Sequence, residues 1–431
     1  MSSSSSQLGI SGSPADRDIY AGRLAVVTGA ASGMGRELVI QLAARGCGVA
    51  ACDLDGPGIK ETLARAKSVA QKDVILSSHV CDVADRVSVD GLPDAVATAH
   101  LADHLDFLFN NAGVHGEESF VNGDRERWER VFSVCWNAVY LPSRAFLPML
   151  MAGRAGWLVN TSSLNGFFAR HGDGAPCTAY SAAKFAVRGL TEALIEDFRT
   201  YAPSVRVATV LPGTVVTGLS SNSDRILGRR AEPDSAGGVG IRDHLKLLGV
   251  PTTDLAEGDL SKITSLLRDI FMMPAAQAVR QILAGVQEGR WRILVGEDAV
   301  EVDAQVRARP EEAYEPGGVN QVNVDLLRAL VSLVVRADPE RIRGLEGVFQ
   351  VVIGRYDLVC RVSPDGIEID RHGGDDGVSA IVEAEPDAFR RVLSGEEPID
   401  QAMLDGRLRI AGDRHRFDAL VKALRPEPIA T

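Results

Sequence analysis

The segment Arg23–Asp53, RLAVVTGAASGMGRELVIQLAARGCGVAACD, contains a strand pattern, a glycine-rich turn and a helix pattern in succession. Its first part, Arg23–Thr28, is an apolar and β-branched run that predicts a buried strand. The helical pattern extends from the turn to about Arg45. A glycine turn at this place lets the backbone of a helix N-terminus approach a pyrophosphate group. The succession therefore predicts a nucleotide-binding α/β unit.

A carboxylate follows the next predicted strand, Gly48–Ala51, at Asp53. Its distance from the glycine turn is close to the roughly 20 residues expected for an acid that binds the ribose of a dinucleotide. A carboxylate there accepts hydrogen bonds from ribose hydroxyls and repels a 2′-phosphate. The next residues, Leu54 and Asp55, are not basic, so the sequence favours NAD over NADP. Arg36 is the one residue that could weaken this preference, although arginine is also common on plain helices.

A hydroxyl and a tyrosine–lysine pair follow another predicted strand, Trp157–Asn160. Ser163 comes just after the strand end, where ligands bind in α/β sheets. Tyr180 and Lys184 stand four residues apart in a helical pattern, which puts both on one helix face. A nearby ammonium favours the phenolate form of a tyrosine, whose pKa is otherwise about 10. The three residues predict a general acid/base centre, although an ordinary amphipathic helix after a serine-rich strand end gives the same pattern.

Three more strand ends carry residues suited to a cofactor site. The predicted strands Val74–Val80, Leu105–Phe109 and Val205–Val210 are followed by Cys81–Val83, Asn110–Gly113 and Pro212–Thr217. Strand and helix patterns alternate from Arg23 to Val295. Alternation of this kind predicts an α/β fold with a parallel, doubly wound sheet.

These motifs together resemble the classical short-chain dehydrogenase/reductase family. The resemblance covers residues 20–296 and implies an NAD(P)-dependent oxidoreductase that interconverts an alcohol and a ketone. It implies a catalytic centre of Ser163, Tyr180 and Lys184, in which the lysine lowers the pKa of the tyrosine. The cofactor-binding residues that it implies are Gly29, Ser32, Gly33, Met34, Gly35, Asp53, Asp82, Val83, Asn110, Ala112, Gly113, Tyr180, Lys184, Pro212, Gly213, Val215 and Thr217.

Two features depart from the family pattern. The predicted helix Asp124–Met151 carries Cys135 where the family has an asparagine, and Asn137 lies about 200° further round the helix. The family asparagine helps to hold a water that relays protons to the lysine, so the cysteine puts efficient catalysis in question. The second departure is a longer segment ahead of the tyrosine, in which the polar residues Ala169–Cys177 are expected to rim the substrate entrance.

The composition limits the class of protein. The chain has 431 residues and a net charge of −12, which argues against nucleic-acid binding as its main task. Its six cysteines form no C-x-x-C pair and fit a reduced cytoplasm better than a disulfide framework. His100 and His104 have the spacing of a helical metal pair but no third ligand nearby, so no metal site is predicted. No apolar run reaches the roughly 18 residues of a membrane span, and residues 1–19 resemble a disordered serine-rich tail rather than a signal peptide.

The chain changes character after residues 297–321, where a polar helix pattern passes into a Pro-Gly-Gly linker. Behind the linker, a very apolar helix is predicted at Val324–Val335. The predicted strands are Gly347–Gly354, Tyr356–Val362, Gly366–Asp370, Ser379–Glu385 and Gly406–Gly412, with a hairpin turn at Pro364–Gly366. The other predicted helices are Pro386–Leu393, Pro398–Leu404 and a last one that ends near Leu424.

This order resembles the sterol carrier protein 2-like domain, most specifically at Asp405–Asp413, DGRLRIAGD. Glu385–Asp387 and Leu393–Gly395 match the start and the end of a helix in that family. The resemblance implies a small α+β domain, residues 322–431, that encloses a tunnel for a lipid. A filled core gives the same periodicity, so the sequence leaves both alternatives open. A dehydrogenase followed by such a domain is the arrangement of hydroxysteroid dehydrogenase-like proteins.

The sequence therefore predicts a Rossmann dehydrogenase domain in residues 20–296, with a substrate lid at 218–273, and a lipid-binding domain behind it. Amphipathic segments at Asp243–Leu248 and Leu260–Phe271 belong to the lid. The expected protein is a cytoplasmic homodimer or homotetramer that acts on a lipophilic substrate, such as a steroid or a fatty-acyl derivative. The alternative is a lipid-binding or carrier protein whose dehydrogenase half binds the cofactor with weak or no catalysis.

Overall fold

The computed structural model describes residues 18–116, 118–169, 176–227, 257–315, 319, 326, 329–331, 333, 339–371 and 377–424. The predicted tail therefore lies almost wholly outside the described residues, as do positions 170–175 of the predicted insertion. The amphipathic segment expected at Asp243–Leu248 lies outside them too, and so does most of the helix expected at Val324–Val335.

A parallel sheet of seven strands forms the first domain, and a two-stranded ribbon lies beside it. The strands are β1 Leu24–Thr28, β2 Gly48–Asp53, β3 Leu76–Val80, β4 Phe107–Asn110, β5 Gly156–Thr161, β6 Val205–Pro212, β7 Val215–Val216, β8 Met273–Pro274 and β9 Arg292–Val295. The sheet has the order β3-β2-β1-β4-β5-β6-β9, and β7 pairs with β8 in the ribbon. The strand order reverses between β1 and β4, which is where ligands bind in open α/β sheets.

Helices cover both faces of this sheet. The helices of this part of the chain are α1 Gly33–Ala44, α2 Gly56–Val69, α3 Arg86–Asp90, α4 Leu92–His100, α5 Arg125–Ala152, α6 Thr178–Tyr201, α7 Leu219–Leu227, α8 Glu257–Phe271, α9 Ala275–Gln287 and α10 Glu297–Ala308, of which α8 packs against the second domain instead. Successive residues of β1 alternate between the two cores: Val27 packs with α1 and α9, and Val26 packs with α5 and α6. The predicted doubly wound sheet is confirmed.

The second domain is a smaller α+β unit. Its sheet consists of β10 Gly347–Ile353, β11 Tyr356–Ser363, β12 Gly366–Arg371, β13 Val378–Ala384 and β14 Leu408–Gly412. The order is β12-β11-β10-β13-β14, and the β10–β13 pair is parallel. The helices are α11 Pro339–Ile342, α12 Pro386–Ser394, α13 Ile399–Leu404 and α14 Arg414–Leu424. The predicted hairpin joins β11 to β12, and Gly395 ends α12 in the left-handed conformation that favours glycine.

Helix α8 lies in the segment predicted as a lid, but its apolar face packs elsewhere. Leu266 and Ile270 are buried in the same hydrophobic cluster as Phe349 and Ile369 of the second sheet. The helix therefore contributes to the core of the C-terminal domain. Among the described residues, no helix combines the length and the hydropathy needed to cross a bilayer.

Candidate active site

The glycine turn after β1 adopts a backbone that favours glycine. Gly29 and Gly33 have φ angles of +69° and +53°. A Cβ on Gly29 would lie 2.8 Å from Ala112 Cα, and one on Gly35 would lie 1.9 Å from the Gly29 oxygen. The Ser32 hydroxyl accepts a hydrogen bond from α7 instead of capping α1. The amide groups in the first turn of α1 are therefore available to bind an anion.

Asp53 ends β2 next to this turn. Its Oδ2 accepts a hydrogen bond from Ala31 N at 2.9 Å, and its Oδ1 accepts one from Asp55 N at 2.9 Å. Asp55 in turn accepts from Gly58 N and pairs with Arg225, which holds the pKa of its carboxyl below the usual range. Two carboxylates therefore lie at the end of the site where a ribose is expected.

The guanidinium of Arg36 ties the glycine turn to α2. It donates to Ala31 O at 2.6 Å and to Thr62 Oγ1 at 3.1 Å. It also pairs with Glu61 at 3.1 Å. These contacts hold the cation between α1 and α2.

The structure places Asn110 in a buried polar network rather than at the cofactor site. Its Nδ2 donates to Ser143 Oγ and to Asn160 Oδ1, both at 2.9 Å. The network ties β4 to β5 and α5. The next residue, Asn111, faces the cleft instead, and its backbone N donates to Thr28 Oγ1 at 3.0 Å. Successive strand residues point in opposite directions, which explains why Asn111 and not Asn110 faces the cleft.

Ser163, Tyr180 and Lys184 meet where β5 ends. All three are buried, and the Ser163 hydroxyl lies near enough to the Tyr180 phenol to favour its charged form. Lys184 Nζ donates to Thr161 O at 2.9 Å and lies 5.6 Å from the centre of the Tyr180 ring. The Ser162 hydroxyl donates to the Lys184 carbonyl at 2.7 Å, which fixes α6 against the end of β5. The one-turn spacing on α6 thus brings the predicted pair together.

Burial has the largest effect on the ionisation of these groups. It raises the pKa of Tyr180, Cys135 adds to the rise, and the nearby Ser163 hydroxyl opposes it. Burial also lowers the pKa of Lys184. The lowering of the tyrosine pKa by Lys184 stays a prediction, because burial disfavours the charged forms of both the phenol and the ammonium.

Cys135 lies beside this centre, on the helix where the sequence places it in the position of the family asparagine. Its Sγ donates to Val114 O at 3.1 Å. Burial raises the pKa of the thiol, and Lys184 opposes that effect. Asn137 points away, because its Nδ2 donates to Ala84 O at 3.2 Å. A buried thiol therefore occupies the position of the family asparagine.

The segment Pro212–Thr217, which we call the nicotinamide loop after the role that the resemblance implies, runs from the last residue of β6 through β7. It lies against the glycine turn: a Cβ on Gly33 would be 3.0 Å from Thr217 Cβ. Asp298 Oδ2 accepts a hydrogen bond from Thr214 N at 2.6 Å, and Met273 N donates to Thr214 O at 2.9 Å. The backbone of the loop is therefore fixed from two sides.

A cleft of about 650 Å³ joins these parts. Its lining includes every predicted site residue except Gly35 and Asn110. Lining residues outside the prediction include Leu54, Asn111, Val114, Arg130, Val134, Ala138, Leu219, Asn222, Arg225 and Ile226. Val134 and Ala138 lie one turn apart on one side of α5, so helical spacing could have linked them to each other.

Helix α7 closes one side of the cleft and accounts for several of these residues. Asn222 Nδ2 donates to Ser32 Oγ at 2.9 Å, and Arg225 pairs with Asp55 at 3.3 Å. The ring of His115 packs edge-on against the Tyr180 ring with centres 5.0 Å apart. No motif in the sequence pointed to α7 or His115, because these contacts join segments far apart in the chain.

Comparisons with known proteins agree with this geometry. Residues 23–226 match the family model described as short chain dehydrogenase. Oxidoreductase SadH of Mycobacterium tuberculosis is 30% identical over 290 residues, which are 67% of this chain and 91% of that protein. The chain belongs to the short chain dehydrogenase family. It is therefore an NAD(P)-dependent oxidoreductase that acts on CH–OH groups.

Other relatives and the second domain extend this result. The 1-deoxy-11-beta-hydroxypentalenate dehydrogenase of Streptomyces exfoliatus is 36% identical over 198 residues, 45% of this chain and 68% of that enzyme. A Burkholderia phymatum short chain dehydrogenase/reductase, solved in complex with NAD, is 26% identical with a TM-score of 0.53. That comparison covers 68% of this chain and 94% of the other. Residues 328–425 match the SCP-2 sterol transfer family, so the predicted fusion of the two domains is confirmed.

Proposed function

We propose that this dehydrogenase transfers a hydride between NAD and a lipophilic alcohol or ketone, with Ser163, Tyr180 and Lys184 as its catalytic centre. The observation that carries the proposal is the convergence of these three side chains on one cleft with the glycine turn and the nicotinamide loop. A steroid or a fatty-acyl derivative is the substrate class that we favour.

The roles of the three residues follow from their chemistry. In reduction, Ser163 would hydrogen-bond the carbonyl oxygen, and Tyr180 would donate the proton that converts this oxygen to a hydroxyl. The nicotinamide, when bound, supplies the hydride. Lys184 would contact the ribose. The raised pKa of Tyr180 suits proton donation at neutral pH, whereas oxidation requires the phenolate. We therefore expect kcat/KM for alcohol oxidation to rise with pH.

The residues of the cleft fit a nicotinamide dinucleotide. The first-turn amides of α1 suit its pyrophosphate, and Asp53 suits its ribose hydroxyls. We favour NAD over NADP because Asp53 and Asp55 place two carboxylates at the ribose end. Arg36 is engaged by Glu61, and Arg225, the other arginine near that end, pairs with Asp55.

An apolar substrate is supported by the lining of the cleft next to Tyr180. Val134 of α5 and Ile226 of α7 line the cleft and pack against the hydrophobic cluster that contains Tyr180. Ligand sites of this kind bury apolar groups and orient them with a few polar contacts. The fused sterol transfer domain is the second support.

An assay of NAD reduction over steroids and acyl alcohols tests the activity. We expect turnover with lipophilic alcohols, little turnover with short polar alcohols, and slower turnover with NADP. A chain that binds NAD but turns over none of these substrates would contradict the proposal.

The rival function, cofactor binding with weak or no catalysis, rests on Cys135. The Cys135→Asn variant tests it, because the asparagine restores the family residue. We expect turnover by the wild type and a rate in Cys135→Asn that is raised or at least preserved. An inactive wild type with an active variant would favour the rival, provided that both proteins show the same melting temperature.

We propose that the C-terminal domain binds a lipid by opening its core. A fluorescent fatty acid should bind the full chain saturably, native lipids should displace it, and the bound ligand should raise the melting temperature. Absence of both displacement and a melting shift would mean that the domain has a structural role only.

Assembly and compartment are also proposals. We favour a homodimer or homotetramer in the cytoplasm. The partly exposed aromatic side chains Tyr140 and Phe185 on α5 and α6 support self-association, and six free, buried cysteines support a reducing compartment. Light scattering of the purified chain would identify a monomer if the assembly is wrong.

A further inference from the structure

The nicotinamide loop is held by two supports outside itself. On one side, β8 pairs with β7, and Met273 N donates to Thr214 O at 2.9 Å. On the other side, Asp298 at the start of α10 accepts from Thr214 N at 2.6 Å. Both supports bind the backbone of the same residue, Thr214, so a movement of either one would move the loop.

The first support leads directly into the C-terminal domain. Helix α8 ends two residues before β8, and its Leu266 and Ile270 are buried in the core of that domain. The ring of Phe271 packs against the ring of Tyr356 at the start of β11, with centres 5.2 Å apart. The position of β8 therefore depends on the packing of the second sheet.

The second support carries ion pairs to the same domain. Glu297 and Glu301 lie one helical turn apart on α10, on either side of Asp298. Arg355 pairs with Glu301 at 2.6 Å, and Arg371 pairs with Glu297 at 3.2 Å. Arg355 and Glu301 are both largely buried, so this pair is screened less than an exposed one, whereas Glu297 in the second pair is two-thirds exposed.

Tyr356 connects the two supports. It is buried, and the Arg355 guanidinium lies 5.0 Å from its ring centre and donates to its Oη at 2.8 Å. Arg371 lies 5.8 Å from the same ring centre and donates to Ile270 O at 3.4 Å. One cluster of the C-terminal domain thus touches the end of α8 and the start of α10 together.

We propose that Arg355, Arg371 and Tyr356 of the C-terminal domain are positioning residues for the nicotinamide half of the cofactor. They act through α8 and α10 on the two supports of the nicotinamide loop and do not touch the reacting atoms. The inference rests on the proposed placement of the nicotinamide at this loop. It gives the sterol transfer domain a part in hydride transfer that does not require a bound lipid.

Cofactor binding by the full chain tests this inference without knowledge of the substrate. ADP-ribose contains every part of NAD except the nicotinamide, so the ratio of the two dissociation constants reports on the loop. In Arg355→Ala we expect NAD binding to weaken about threefold to tenfold and ADP-ribose binding to stay unchanged. We also expect the fluorescence of bound NADH to shift towards that of free NADH. Misplacement by about 1 Å can cost on the order of 100-fold in rate, so kcat should fall by about tenfold or more while the substrate KM changes little.

Arg361→Ala is the matched control. Arg361 lies on the same strand as Tyr356 and pairs with Asp370 inside the second sheet. It should bind NAD and ADP-ribose like the wild type.

A second pair of variants guards against misfolding. Glu301→Gln removes the same ion pair from the side of the dehydrogenase domain and should reproduce the effect. The charge exchange Arg355→Glu with Glu301→Arg should restore part of the lost NAD affinity. Unchanged binding of both ligands in Arg355→Ala would overturn the inference, and so would an equal loss for NAD and ADP-ribose. A failure of the proposed activity would differ, because the wild type itself would then show no turnover.

Discussion

The cleft of the dehydrogenase domain has a volume of about 650 Å³, whereas a cavity among the apolar side chains of the C-terminal domain has about 10 Å³. The first volume lies within the range of small-molecule sites, about 300–1,000 Å³. The second is close to the space of a single water. It lies among buried residues such as Phe349, Phe389 and Leu420.

The difference shows that the hydrophobic periodicity of a sequence does not predict the volume of a cavity in the folded domain. Both domains have alternating strands and amphipathic helices, and in both the apolar residues face inward. In the dehydrogenase domain, glycines and short polar side chains at the strand ends keep the backbone exposed to the cleft. In the C-terminal domain, large side chains from α12 and α14 fill the space above the sheet.

Tyr180→Phe should have the largest effect, because it tests whether the open cleft of the dehydrogenase domain is a catalytic site. Removal of the phenol leaves the cleft intact but deletes the proton donor, so turnover should fall by about 1,000-fold or more. NAD binding, followed by titration calorimetry, should remain. Tyr201→Phe, at the exposed end of the same helix, is the control and should be fully active. A variant with near wild-type rates would remove Tyr180 from the mechanism.

Phe389→Ala tests whether the C-terminal core is filled. The side chain is buried on α12 and lines the small cavity, so its truncation should lower the free energy of unfolding by about 3–5 kcal/mol. Leu404→Ala, at an exposed position of the same domain, should change it by less than about 0.5 kcal/mol. Denaturant unfolding measures both. A small loss of unfolding free energy in Phe389→Ala would indicate a hollow or pliable core and would remove the contrast between the two domains.

Asp53→Ala tests the charge pattern of the cleft. Loss of the carboxylate removes ribose hydrogen bonds and the repulsion of a 2′-phosphate, so kcat/KM for NADP relative to NAD should rise by about tenfold. Asp90→Ala, which removes only the exposed pair with Arg86 on α3, should leave the ratio unchanged. A wild type that uses NADP as well as NAD would refute the assignment before any variant is made.

His100 gives the smallest effect, a pH dependence of stability that belongs to the dehydrogenase domain. Burial, with a contribution from His79, lowers the pKa of His100 to about 4, against about 6.5 in an unfolded chain. Between these values the unfolded state binds the extra proton, so stability falls as pH falls through this window. In His100→Gln, the loss of melting temperature between pH 7 and 4.5 should be smaller by about 3 °C. Equal losses in both proteins would contradict this result.

Local chemistry explains what the sequence could predict. The strand ends, the glycine turn and the tyrosine–lysine pair each depend on residues within a few positions of one another. Asn110 shows the limit of that method, because a shift of one residue along β4 turns the side chain from the cleft into a buried network.

Long-range packing explains what it could not. The pattern at Leu260–Phe271 correctly predicts a helix, but an amphipathic pattern does not show which part of the molecule the apolar face packs against. The structure packs that face against the C-terminal domain, and the substrate lid stays a prediction. The contacts of α7 with Ser32 and Asp55 were missed for the same reason.

The packing of α8 affects whether either domain can be produced without the other. A dehydrogenase expressed without residues 322–431 would expose Leu266 and Ile270 to water, and we expect it to aggregate on purification. The C-terminal fragment alone would lose two of its own buried side chains. Each half has thus come to depend on a helix that straddles the boundary between them. Loss of either domain in a single deletion would therefore require earlier substitutions on the surface of the domain that remains.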